Sequence, residues 1–93
     1  MTDIKLENLP AEDGTEKFLV VLTDDVSATR HEVSVGPEDK RRLAGVRLAG
    51  ADLVRRSFEF LLAREPKESI LPRFDLAVIG RYYPEYFKEM ASI

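Results

Sequence analysis

The side chains that could act as nucleophiles, general bases or metal ligands are few in this sequence and lie far apart along it. His31 is the only histidine, and the 93 residues include no cysteine. A catalytic histidine needs an orienting partner and a nearby nucleophile. None of the five serines stands in a G-x-S-x-G or S-x-x-K motif. We therefore interpret His31 as a side chain packed at the margin of a sheet, and we predict that the chain is not an enzyme.

Metal and phosphate sites are equally weakly indicated. One histidine and no cysteine are too few ligands for a standard zinc site. Asp24 and Asp25 are adjacent in a predicted turn, but no D-x-D-x-D-G calcium loop surrounds them. The five glycines form neither G-x-G-x-x-G nor G-x-x-x-x-G-K-[ST]. We expect no metal ion and no cofactor.

Length and composition predict one small globular domain. Ninety-three residues can bury a hydrophobic core without disulfides or metals. Residues 1–15 are polar and acidic, without the apolar stretch of a secretion signal. No apolar run approaches the ~20 residues that span a bilayer. We predict a weakly ordered segment at 1–15, a single domain at 16–93, a cytoplasmic location and no contact with membranes.

Two segments with the alternation of strands predict an antiparallel β-hairpin. They cover residues 17–23 and 29–35, with the turn-forming residues 24–27 between them. In the second strand His31, Val33 and Val35 share one face, and polar residues occupy the other. A third strand from Ile4 to Leu9 is the alternative to a weakly ordered amino-terminal segment, because Ile4 and Leu6 also alternate with polar residues.

Helical signals follow the hairpin. Pro37 begins a short helix that Gly45 ends. Residues 51–64 form a helix apolar enough to be the centre of the core, and Pro66 ends it. Asp75 is the predicted N-cap of a third helix. Strands followed by helices are typical of an α+β fold, here a hairpin packed on three carboxy-terminal helices.

The first strand of the hairpin is apolar on both faces. Phe18, Val20 and Leu22 point one way, while Leu19 and Val21 point the other. Helices can cover one face, so the second must be covered by the amino-terminal segment, a second copy of the chain or another protein. We therefore predict that the hairpin, with Phe18, Val20 and Leu22, is an association surface. The equal alternative is that a third strand from Ile4 to Leu9 closes the sheet within one chain.

A cluster of aromatic residues near the carboxyl end is the second predicted interaction surface. Tyr82 and Phe74 share a helical face with the apolar core residues, so we assign both to the core. Tyr83 and Tyr86, with Arg81 beside them, are the expected exposed patch, because tyrosine and arginine dominate protein-binding hot spots.

Nucleic acid is the alternative partner. The net charge is −3, which is unusual for a nucleic-acid-binding domain, but the middle of the chain is mildly basic. A degenerate helix-turn-helix at about 67–83 is conceivable, although its recognition helix would be nearly all apolar. The candidate contacts in that reading are Arg41, Arg42, Arg55, Arg56, Lys67 and Arg73. We favour a non-enzymatic interaction module or accessory subunit that binds another protein or itself, with a small DNA-binding regulator or antitoxin-like protein as the alternative.

Overall fold

A computed structural model describes residues 2–44 and 50–91 of the chain. Over these residues four β-strands and four α-helices form an α+β fold, which confirms the predicted class. In chain order the elements are β1 (Asp3–Glu12), β2 (Thr15–Thr23), β3 (Ala28–Val35), α1 (Pro37–Ala44), α2 (Gly50–Leu62), β4 (Arg73–Asp75), α3 (Ile79–Tyr82) and α4 (Tyr86–Ala91). Two 3₁₀ turns, Lys67–Ser69 and Leu76–Val78, flank β4.

The strands form one mixed sheet in the order β1-β2-β3-β4. The predicted hairpin is present as β2 and β3, which pair antiparallel from Glu16↔Val35 to Thr23↔Ala28. The sheet is larger than the predicted hairpin because a strand is added at each of its edges. The helical part likewise contains one more helix than the three expected.

The first added strand is formed by residues that we expected to be a weakly ordered segment or a shorter third strand. β1 pairs antiparallel with β2 from Asp3↔Thr23 to Glu12↔Thr15. A two-residue turn joins them, in which Asp13 (φ 53°) and Gly14 (φ 77°) both have positive φ. An Asp-Gly pair readily adopts such a turn, whose twist matches that of the flanking strands. The strand alternative is therefore the one that the structure has, with β1 longer than the predicted Ile4–Leu9.

The second added strand follows the 3₁₀ turn at 67–69 and was not predicted. β4 pairs parallel with β3, with Val33 opposite Phe74, and the Glu32 amide donates to the Pro72 carbonyl at 2.8 Å. Asp75 ends β4 and caps the next turn, accepting from the Ala77 amide at 3.0 Å. The predicted cap is present, but it begins a 3₁₀ turn that continues into the short α3.

Helix α2 is the centre of the core, as its sequence predicts. Leu53, Val54 and Phe58 are fully buried. Helix α1 begins at Pro37 as expected, whereas the predicted helix end at Gly45 lies outside the described residues. A buried layer of strand side chains, including Phe18, Val20 and Leu22, belongs to the same hydrophobic cluster as α2.

The opposite face of the sheet has a different composition. On this face Leu19 and Val21 are half-buried. Cross-strand neighbours flank both of them: Val21 lies between Lys5 and Arg30, and Leu19 lies between Glu7 and Glu32. Long charged side chains can cover apolar neighbours with their aliphatic portions while their charges stay in water. We call this side of the sheet the open face.

Candidate functional site

The hairpin residues that we predicted as an association surface are interior residues. Phe18, Val20 and Leu22 are 1%, 0% and 0% exposed. They lie on the face of β2 that joins the helical core, and β2 is flanked by strands on both sides. The prediction that these three side chains form an association surface is wrong, because the chain's own helices cover the face of β2 on which they lie. The face that the helices leave uncovered carries Leu19 and Val21 instead.

Tyr86 is also interior, which corrects its assignment to an exposed patch. Its side chain is fully buried, and its hydroxyl lies 2.6 Å from Ser57 Oγ. Ser57 Oγ donates to the Leu53 carbonyl at 2.7 Å, so the tyrosine hydroxyl must be the donor to Ser57. Burial raises the pKa of Tyr86 well above its usual range. The hydrogen bond between Tyr86 and Ser57 therefore connects α4 to α2 inside the core.

The remaining residues of the predicted patch are accessible, but the exposed tyrosine is a different one. Arg81 is exposed and Tyr83 is half-buried, with its ring edge-on to Phe60. Tyr82, which we assigned to the core, is 67% exposed. Tyr82 is exposed although it lies in α3 three residues after the buried Ile79. Pro84 separates α3 from α4, so the helical phase of α3 does not predict which side of Tyr86 is buried.

Tyr82 also lines an apolar groove between the end of α2, the 67–72 segment and α3. A second exposed apolar residue of the same lining is Leu71, at 43%. The groove has a cavity volume of about 200 Å³. Its lining residues are Leu61, Glu65, Ser69, Ile70, Leu71, Phe74, Val78, Ile79, Tyr82 and Tyr83. We call this cavity the Leu71–Tyr82 groove.

A single carboxylate provides the charge of the Leu71–Tyr82 groove. Tyr83 donates its hydroxyl proton to Glu65, and this hydrogen bond, together with burial, raises the pKa of Tyr83. The neighbouring cation, Arg64, is directed elsewhere: it pairs with Glu89 at 2.9 Å and lies 3.5 Å from the centre of the Phe60 ring. The groove is therefore apolar with one acidic side.

His31 occupies a structural position, as its sequence context indicates. The imidazole is 2% exposed and lies 5.6 Å from the Phe58 ring. Nδ1 lies 2.7 Å from the Leu71 carbonyl, which can only accept, so Nδ1 carries a proton. In the neutral ring Nε2 then accepts from Thr29 Oγ1 at 2.8 Å. His31 thus holds the Leu71 backbone, and with it one rim of the groove, against β3.

Lys67, a predicted nucleic-acid contact, is buried in an ion-pair cluster. Only 4% of its side chain is exposed, and Nζ lies 2.7 Å from Asp24 and 2.5 Å from Glu68. The hydrogen bond from Lys67 lowers the pKa of Asp24 and that of Glu68, and the same bonds raise the pKa of Lys67. The cluster joins the turn after β2 to the first 3₁₀ turn, and it leaves Lys67 inaccessible to a phosphate.

The other predicted nucleic-acid contacts are accessible but do not share one element. Arg41 and Arg42 are exposed on α1, and Arg42 lies over the Phe87 ring. Arg55 and Arg56 are exposed on α2. Arg73, on β4, pairs with Glu32 at 3.0 Å. These five arginines therefore come from two helices and a strand.

The predicted helix-turn-helix at 67–83 is wrong. This stretch contains a 3₁₀ turn, strand β4, a second 3₁₀ turn and a four-residue helix. Residues 73–75 extend because β3 offers a free edge with which they can pair. A recognition helix would have to project from the body of the protein, whereas Leu76 and Ile79 of this segment are buried in the core.

Two acidic side chains meet at the start of α1. Asp39 lies near Asp75, and burial, followed by the nearby Asp75 charge, raises the pKa of Asp39. Ser34 also donates to Asp75, at 2.9 Å. Within residues 2–44 and 50–91 no group of three or more histidine or acidic side chains is arranged to hold a metal ion.

None of the helices in the described part of the chain is both long enough and apolar enough to cross a membrane.

Of the candidate site, sequence reasoning missed the groove rim. Leu71 lies between Ile70, which is buried, and Pro72, so an apolar pair before a proline in a loop was the available signal.

Comparison of the chain with family models, curated proteins and solved structures gave no match.

Proposed function

We propose that this chain is a non-enzymatic protein-binding module whose Leu71–Tyr82 groove receives an apolar side chain from a partner polypeptide. The observation that carries the proposal is that two large exposed apolar side chains, Leu71 and Tyr82, line the same apolar cavity. Isolated exposed apolar residues need no explanation, but two that border one concavity are typical of an interaction site.

The size of the groove favours a side chain over a small-molecule ligand. Ligand pockets generally enclose ~300–1,000 Å³ and bury most of the ligand. The volume here is about 200 Å³ and the cavity is open along its rim. One side chain of a peptide can fill such a space while its main chain crosses the rim between Leu71 and Tyr82.

The chemistry of the walls specifies the neighbouring residue of the partner. Glu65 is the charged group of the lining. Its hydrogen bond from Tyr83 fixes its position but does not neutralise it. A lysine or arginine next to the inserted apolar side chain would complement this carboxylate. The partner that we propose is therefore a segment with a bulky apolar residue followed by a basic one.

Peptide titration followed by amide NMR shifts tests this proposal. The probes are short capped peptides in a glycine-serine background, with Leu, Phe or Trp followed by Arg, Ser or Glu. We expect the bulky-then-arginine peptides to bind most tightly and to shift the amides of Ile70, Leu71 and Tyr82. Tyr82→Ala and Leu71→Ser should each weaken binding at least about tenfold, which corresponds to ~1.4 kcal/mol.

Val26→Ser is the matched control, because Val26 is also an exposed apolar residue, at 91%, but lies in the turn after β2. It should leave the peptide affinity unchanged. Glu65→Gln should remove the preference for arginine over glutamate and keep the preference for a bulky residue. Absence of binding by every peptide, or binding that Tyr82→Ala leaves intact, would refute the proposal.

A further inference from the structure

The two edges of the sheet differ greatly in length. At one end β4 contributes only three residues. At the other end β1 extends over ten residues, and among the described residues no strand pairs with its outer side. A long edge strand offers its main-chain donors and acceptors to a further strand, and proteins usually blunt such edges.

The outward-directed groups on this edge follow from the hydrogen-bond alternation of antiparallel strands. The Asp24 amide donates to the Ser27 carbonyl across the turn after β2, at 3.1 Å, so the main-chain N–H and C=O of Asp24 point towards β3. The main-chain groups of residues 23, 21 and 19 therefore point towards β1, where these residues pair with residues 3, 5 and 7. It follows that the main-chain N–H and C=O groups of Ile4, Leu6 and Asn8 point outwards, away from β2.

Contacts elsewhere agree with this assignment. The same alternation predicts that the main-chain groups of Glu32 point away from β2. The Glu32 amide does donate to the carbonyl of Pro72, the residue before β4. On β1, the Ile4 carbonyl accepts a hydrogen bond of 3.1 Å from Arg55 of α2. A carbonyl has two lone pairs, so Ile4 can accept from Arg55 and still accept from a strand amide.

The side chains of β1 give this edge a pattern that can match itself. Lys5 and Glu7 are exposed on the open face. Ile4 and Leu6, on the other face, are only partly buried where they pack against the core cluster. Charges on an edge strand normally repel a second strand, but a lysine and a glutamate two residues apart are complementary to the same pair running in the opposite direction.

We propose that the β1 edge pairs antiparallel with β1 of a second copy of this chain, with the twofold axis at Leu6. In this register Leu6 faces Leu6 of the second copy and Ile4 faces its Asn8, both as hydrogen-bonded pairs. Lys5 faces Glu7 of the second copy, and Glu7 faces its Lys5. These are non-hydrogen-bonded positions, at which opposed side chains lie closest together. The two sheets become one continuous sheet.

The neighbouring registers are disfavoured. A shift of one residue places the open face of one copy on the core side of the other. Registers centred on Lys5 or on Glu7 oppose like charges directly. A register centred on Ile4 pairs Asp3 with Lys5, but it overlaps fewer residues and makes no use of Glu7. The effect of a Glu7 substitution on dimerisation therefore distinguishes the proposed register from the register centred on Ile4.

The expected dimer is weak. Pairing supplies on the order of six main-chain hydrogen bonds, and an edge contact buries less surface than a standard interface. We expect a dissociation constant of roughly micromolar size.

Charge exchange on the full chain, followed by sedimentation velocity over a concentration series, tests the pairing. Lys5→Glu and Glu7→Lys should each raise the dissociation constant at least about tenfold, because each opposes like charges. The double variant K5E/E7K should dimerise like the native chain, since the exchanged pairs are again complementary. An equimolar mixture of the two single variants should form a heterodimer.

A single introduced cysteine tests the axis. The chain has no cysteine, so only intermolecular disulfides can form. Hydrogen-bonded antiparallel partners lie ~5.5 Å apart at Cα, within disulfide range. Leu6→Cys should therefore cross-link on mild oxidation, whereas Val26→Cys, at an exposed turn, should not. A native chain that stays monomeric up to about 1 mM would overturn the proposal. A dimer indifferent to both charge reversals would overturn it equally.

Discussion

The two sides of the sheet use the same strands in opposite ways. On the helix-covered side, Phe18 and Val20 of β2 are fully buried. On the open face, Leu19 and Val21 of the same strand are only half-buried and lie among charged cross-strand neighbours. Adjacent residues of similar hydrophobicity therefore differ in what surrounds them. The apolar character of a strand residue thus indicates neither its burial nor its contribution to stability.

The buried polar side chains all have hydrogen-bond partners within the described part of the chain. His31, Ser57 and Lys67 are buried, and each has its hydrogen bonds satisfied by named partners. Among the described residues no buried side-chain nitrogen or oxygen lacks a partner. The buried polar groups of the described residues therefore need no partner from outside the chain.

The largest expected effect on stability comes from truncating a side chain that is buried on the helix-covered side of the sheet. Phe58 is fully buried, with its ring 5.6 Å from that of His31 and 5.9 Å from that of Phe74. Phe58→Ala should lower the free energy of unfolding by about 3–5 kcal/mol. Leu19→Ala on the open face should cost at most about 1 kcal/mol, since less apolar surface leaves contact. Urea unfolding of both variants measures the difference, and equal losses would mean that the open face is also an interior.

The sequence predicted the parts of this fold that local pattern specifies. Alternation placed β2 and β3, and the apolar helix at 51–64 is observed as α2 at Gly50–Leu62. The Asp13-Gly14 turn was also a local signal, but the surrounding acidic residues and Pro10 led us to interpret it as part of a tail. β4 carries no such signal, because three residues become a strand only by pairing with β3, some forty residues earlier.

The site was less predictable than the fold for a related reason. Tyr82 is exposed although it follows the buried Ile79 in the same helix, and the burial of Tyr86 depends on the direction of α4 after Pro84, which residue spacing does not reveal. The backbone carbonyl of Leu71 is bound by His31, forty residues away in sequence. Contacts between residues that are distant in sequence form the groove, so no local motif predicts it.

Two tyrosines four residues apart offer a smaller and sharper comparison. Tyr86→Phe removes the donor to Ser57 from a fully buried site, which should cost about 1–2 kcal/mol. Tyr82→Phe removes a hydroxyl from a side chain that is 67% exposed, and should change stability by less than ~0.5 kcal/mol. Thermal and urea unfolding of the two variants check this order. A loss for Tyr82→Phe as large as that for Tyr86→Phe would contradict the assignment of Tyr86 to the interior.

The smallest expected effect concerns Asp24, in the turn after β2, and it depends on pH. Lys67 lowers the pKa of Asp24 below its ordinary value of 3.8, so the carboxylate form stabilises the folded state. Its contribution is present above pH ~3.8 and is lost as the pH falls through the lower folded-state value. Asp24→Asn should therefore be less stable than the native chain at pH 7, with the difference shrinking towards pH 3.

The matched control for this titration is Asp25→Asn, in the same turn and exposed. Unfolding curves of the three proteins at pH 7 and pH 3 measure what the Asp24 carboxylate gains from Lys67 and from the Val26 and Ser27 amides, since both variants remove one carboxylate from the turn. Added salt should reduce the Asp24 effect only partly, since Lys67 is 4% exposed and its pairing is poorly screened. If Asp24→Asn and Asp25→Asn behave alike at both pH values, the buried cation does not depend on Asp24.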